Sequence, residues 1–178
     1  MASFQDRVIG VLKLQASTFE EVENDAAATA QAATVVAAAA LARALGGIFS
    51  GSFRFFVLTI VFAFIGWVVG SGVLYIVGTR VMPGKNTKAD LQQMMRVAGF
   101  AQAPGIFGIL AIIPFLGLLI GLAVAIWGLV ALVIGVKAAL DYDDIVQAII
   151  VCVIAWVAMW LVMMVLAFAS FGAGARWY

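Results

Sequence analysis

The chain has 178 residues, 66% of them hydrophobic and 11% charged, against roughly half apolar and a quarter charged in soluble domains. That composition excludes a water-soluble globular core, and a net charge of +1 argues against the basic surface needed to neutralise a nucleic-acid backbone. With no histidine anywhere, His-based acid and base catalysis, Ser-His-Asp triads and His-ligated metals are also excluded.

Residues 1 to 25 mix Asp6, Arg7, Lys13, Glu20, Glu21, Glu23 and Asp25 with apolar residues and contain no signal-peptide core, so insertion is expected to use internal spans. Ser3 to Gln15 reads as a short amphipathic helix. Phe4, Val8, Val11 and Leu12 share one face and Asp6, Gly10 and Lys13 the other, which predicts a helix lying on the membrane surface. Ser17 and Thr18 stand three residues before Glu20 and Glu21, the spacing of a capping box, so a second short helix is predicted there, with Asp25 capping the next.

Three stretches then carry no charge at all: Phe55 to Thr79, Val97 to Val136 and Ile145 to Ala175. A bilayer's hydrocarbon core is crossed by about 20 apolar helical residues, so the first and last hold one span each and the middle one holds two. The alanine-rich run Ala26 to Ala42 is helical by propensity and supplies a further span. Five spans result, at Ala26 to Ala42, Phe55 to Thr79, Gly99 to Ile113, Phe115 to Lys137 and Ile145 to Phe171. The third is short and broken by Pro104-Gly105, and Pro114 is read as the hairpin turn after it. Between the second and third spans, Pro83-Gly84 marks a turn and Thr87-x-x-Asp90 a helix start. Leu91, Met94, Met95 and Ala98 share one face of that helix, which predicts a second interfacial element. The fold class is therefore an all-α polytopic membrane bundle, with residues 1–25 as an amphipathic, acidic lead and 26–178 as the membrane domain.

Loop charges orient it. With the N-terminus cytoplasmic, the inner segments carry Arg7, Lys13, Arg80, Lys85, Lys88, Arg96 and Lys137, and the outer ones only Arg43, Arg54 and Arg176. The N-terminus is expected inside and the C-terminus outside, unless residues 99–113 re-enter rather than span.

Chemistry-bearing groups are few. The acidic clusters Glu20, Glu21, Glu23, Asp25 and Asp141, Asp143, Asp144 lack the spacing of a calcium loop and read as solvated helix starts, so no metal or cofactor is expected. Cys152 lies deep in the last span without a base beside it. Among polar residues within the predicted spans, Gln31 and Gln102 are the leading candidates for an intramembrane site, because Pro104 frees backbone groups next to Gln102. Small residues form a seam in the fourth span, where Gly117, Gly121, Ala125, Gly128, Ala131 and Gly135 recur at helical spacing. Gly66, Gly70 and Gly78 do the same in the second. Such faces let backbones approach closely, either between these two helices or against a second copy or partner. Arg176-Trp177-Tyr178 reads as an interfacial anchor.

The run Phe4-x-Asp6-Arg7-Val8-x-Gly10-Val11-Leu12-x-Leu14, followed by Thr18-Phe19-Glu20-Glu21-Val22-Glu23, resembles the start of prokaryotic members of the Yip family, the Ypt/Rab-interacting membrane proteins. Gly99-Phe100-Ala101-Gln102-Ala103-Pro104-Gly105 and Ala139-Leu140-Asp141-Tyr142-Asp143 carry the same resemblance further along the chain. It implies a compact five-span domain with a cytoplasmic N-terminus, in a prokaryotic cytoplasmic membrane. Eukaryotic relatives act in vesicle traffic with prenylated small GTPases, but the lead of this chain is short, which argues against GTPase binding. The functional expectation is a non-enzymatic membrane protein, a scaffold or accessory subunit whose partners are the bilayer and other integral membrane proteins or a second copy. The alternative is a transporter or channel component with a site near Gln102.

Overall fold

The computed structural model describes residues 2–46, 53–113 and 115–174, without the side chains of residues 55, 162, 163 and 165–174. Among the described residues the seven α-helices are α1 (Phe4–Leu12), α2 (Ala16–Asn24), α3 (Ala28–Gly46), α4 (Phe53–Ile76), α5 (Leu91–Phe100), α6 (Gly117–Ala139) and α7 (Ile145–Gly174). A π-helical turn, Val77–Val81, extends α4, and a 3-10 helix, Ala103–Ile112, follows α5. Pro114 and the Arg176-Trp177-Tyr178 anchor lie outside the described residues.

Helix starts obey local chemistry, though not always at the expected residue. Ser3 and Asp6 close a capping box at α1, and Asp90 and Gln93 close another at α5. The start of α2 departs from expectation: Gln15 is its N-cap without a side-chain bond, because Thr18 is buried against Gly10 of α1 rather than turned back to cap. Thr87 likewise caps nothing; its hydroxyl donates to the Leu140 carbonyl at 2.7 Å and accepts from the Gly84 N–H.

The third span is longer than its sequence break implies. Pro104 has no N–H to continue an α-helix, so the chain tightens into the 3-10 helix and keeps its direction. Leu91–Ile112 is thereby a single 22-residue rod long and apolar enough to cross a membrane. Its first half is the mid-chain amphipathic helix, in which Met94, Val97 and Phe100 are fully buried. The rod runs parallel to α3: a Cβ on Gly99 would meet Ala32, and one on Gly105 would meet Ala39 and Arg43. At Gly99 the gap to the Ala32 methyl would be only 2.7 Å, closer than two carbons approach, so this residue sets the α3 to α5 spacing. The chain returns antiparallel in α6, where Gly117 lies by Ala111, Gly128 by Ala101 and Gly135 by Val97.

Four described helices qualify as spans by length and composition: Ala28–Gly46, Phe56–Val81, Leu91–Ile112 and Gly117–Ala139. The fifth, α7, has apolar described side chains from Ile145 to Leu161. Its inner half buries Ala148, Val151, Cys152 and Ala155. Tyr142, in the turn before it, donates a hydrogen bond to the Met82 carbonyl at the end of the second span.

The N-terminal helices pack against the bundle. Val11, Phe19 and Val22 are fully buried. The Trp127 indole, halfway along α6, donates to the Leu12 carbonyl at 3.1 Å, and Phe4 packs edge-on against Phe100. The amphipathic face of α1 is thus spent on the bundle, and Leu14, held at φ 58°, turns the chain sharply into α2.

Candidate functional site

Two polar features stand out against the apolar bundle. The first is a clasp at the end where α2 meets α3 and α5. Arg7 is 1% exposed, and its guanidinium donates to Glu21 at 2.9 Å, to Asp25 at 2.7 Å and to Gln31 at 2.9 Å. Those bonds hold the Glu21 and Asp25 carboxyls below the usual carboxylate range. The acidic cluster of residues 20–25 is therefore only partly a solvated helix start, because a buried arginine claims two of its carboxylates.

Next to it, Arg96 of α5 is 5% exposed and donates through Nε to the Glu23 carbonyl at 3.0 Å, with further contact to Thr29. The side chain of Glu23 is also buried, and its Oε2 has no hydrogen-bond partner among the described residues. Burial, followed by the charges of Asp141 and Glu20, pushes its carboxyl up to about 7, with Asn24 and Arg96 opposing. The folded state then holds this proton more tightly than the unfolded chain does. Glu23's contribution to stability is fullest below the ordinary carboxyl value of 4.5, declines as pH rises toward about 7, and levels off above it. Glu23→Gln is expected to remove this slope and to gain about 1–2 kcal/mol at pH 8, less than the full shift because solvent near the exposed Glu20 screens part of it. Thermal unfolding in detergent between pH 5 and 8 measures it; an unchanged slope in the variant would refute the assignment.

The second feature is a cleft of about 880 Å³ between α4 and α6, floored by α3 and the 3-10 rod. Gly66 and Gly70 stand on one wall and Gly121 and Gly128 on the other, and Arg43, Gln102, Gly105 and Gly108 line the floor. A Cβ on Gly66, Gly70 or Gly121 would meet nothing within 4 Å. Elsewhere the glycine rows are filled by the chain itself: Gly78 lies against Leu140, Gly135 against Val97 and Phe19, and Gly117 against the Ala111 carbonyl. Small residues therefore serve two purposes, close packing at Gly78, Gly117 and Gly135 and an open groove at Gly66, Gly70 and Gly121.

Gln102 lies in the cleft, where its Oε1 is 3.5 Å from the Arg43 guanidinium, a long and weak contact. Pro104 is buried beside it in the 3-10 rod. Gln31 is not in the cleft; it belongs to the Arg7 clasp. Besides Arg80 and Lys137 in the last turns of their helices, the span-length helices hold two arginines, Arg43 in the last turn of α3 and Arg96 in α5. Neither was legible as intramembrane, since each borders a polar segment in the sequence. The buried thiol of Cys152 has no hydrogen-bond partner, and no cluster of three or more metal-ligating side chains occurs among the described residues.

A bundle of apolar helices long enough to cross a bilayer, joined by short turns and bonded internally through its few polar groups, is the class of polytopic integral membrane proteins. A Yip1 domain profile matches residues 9–176, and the chain belongs to that family. No curated protein and no solved structure matches it. Membership bears out the resemblance carried by the N-terminal and Pro104 motifs, and it fits a non-enzymatic membrane protein.

Proposed function

We propose that this chain is a membrane scaffold or accessory subunit that binds other membrane components through the cleft between α4 and α6, with its N-terminus on the cytoplasmic side. One observation carries the reading: the glycine faces of Gly66, Gly70 and Gly121 remain unfilled, although glycine rows in bilayers ordinarily exist to be packed against. The loop charges support the orientation. The Glu21 and Asp25 carboxylates are taken by Arg7, so GTPase recruitment draws no support from them.

Gly121→Leu tests this directly. The position has room for a side chain, so the fold is expected to hold within about 0.5 kcal/mol. Membrane components that travel with the wild-type chain through mild-detergent purification are expected to be lost from the variant. If they stay bound to a folded variant, the cleft is not the binding face. A transport role would instead require water to reach Gln102, which labelling of Gln102→Cys in a Cys152→Ser background reports.

A further inference from the structure

The polarity of the cleft is uneven. Arg43, in the last turn of α3, reaches so far along the rod that a Cβ on Gly105 would collide with its guanidinium, and its only hydrogen bond among the described residues is the weak one to Gln102. No carboxylate lies within 4 Å of it among the described residues; the ion pairs there all belong to Arg7. The remaining lining is mostly hydrocarbon and glycine, including Leu74, Val124 and Leu132, with Thr59, Trp67 and Ser71 among it. Arg43 is exposed and sits at the end of a span, so its guanidinium is open to an anion at the level of the lipid headgroups. The volume, about 880 Å³, falls in the range of small-ligand sites, roughly 300–1,000 Å³.

We propose that the cleft holds an anionic phospholipid. Its phosphate oxygens accept from the Arg43 guanidinium and the Gln102 carboxamide, and an acyl chain lies along the walls of Gly66, Gly70 and Gly121. The planar guanidinium suits a phosphate better than a point charge would. Arg43 stands near the end of a span, where a lipid headgroup lies, and the apolar remainder of the cleft leads away from it, so the required occupant is charged at one end and hydrocarbon along the rest. The proposal rests on the cleft being the binding face and names what fills it.

Native mass spectrometry of the full chain, delipidated in detergent and titrated with phosphatidylglycerol or chain-matched phosphatidylcholine, tests it. The expected result is one phosphatidylglycerol per chain, bound about tenfold more tightly than phosphatidylcholine, with the preference abolished in Arg43→Gln and partly kept in Arg43→Lys. Gly121→Leu is expected to weaken both lipids while leaving the thermal midpoint unchanged. Equal binding of the two lipids, or a folded Arg43→Gln that keeps the preference, overturns the proposal. A partner protein that crosslinks at position 102 in native membranes and carries the counter-charge overturns it as well. Loss of that lipid preference leaves the scaffold reading standing if Gly121→Leu still sheds its co-purifying components.

Discussion

Replacing Arg7 by Met is expected to cost about 3 kcal/mol of stability, seen as a lower thermal midpoint in detergent and as earlier loss of helix on titration with a denaturing detergent. Methionine fills much of the same volume, so the loss comes from electrostatics rather than from a cavity. In the native chain the guanidinium satisfies Glu21, Asp25 and Gln31 at once, and its own burial is nearly complete. Removing one partner of a buried pair leaves the other charge uncompensated, which costs roughly 3–5 kcal/mol; the low end applies because Glu21 stays about a third exposed. Arg7→Lys is expected to recover only part, since an ammonium cannot present the fork that reaches three acceptors. A wild-type midpoint in Arg7→Met would show that α1 is held by its apolar face alone.

Arg96→Met is expected to have the next largest effect, about 2–3 kcal/mol. Its Nε and NH2 groups both donate to the Glu23 carbonyl, joining α5 to the end of α2. Their loss leaves a buried carbonyl unsatisfied and withdraws the nearby cation that opposes protonation of Glu23. The Glu23 carboxyl should therefore titrate higher still, and the decline of stability with pH should extend further up the scale than in the wild-type chain. The two readouts are separable: a stability loss without a change in the pH profile would mean that Arg96 acts on the backbone only.

The bundle itself was largely readable because lipid is an unforgiving solvent: a span must be uncharged on its outer face over a fixed length, and Phe55 to Thr79 and Ile145 onward display that with no ambiguity. Other features hid for identifiable reasons. Arg7 and Lys13 look alike on a short amphipathic helix, and what buries one and exposes the other is a partner set drawn from residues 14, 18 and 24 positions away, without any local spacing to announce it. Pro104 signalled a break, yet the sequence does not say that the rod continues through it as a 3-10 helix, nor that the charged-looking α5 supplies its first half. The glycine rows were visible as faces. Which glycines are covered depends on where the rod, Leu140 and Phe19 sit, and that is decided by tertiary packing.

The hydrogen bond from Trp127 to the Leu12 carbonyl joins residues 115 positions apart, and Phe4 meets Phe100 across a similar interval. The surfaces that receive α1 are synthesised well after it, and contacts of such separation form slowly. Arg7 finds Glu21, Asp25 and Gln31 close by in the chain, but the apolar face of α1 must wait until the rod and α6 have entered the bilayer. α1 is thus seated after helices that follow it in the chain, so its docking reports that the bundle beneath it is complete.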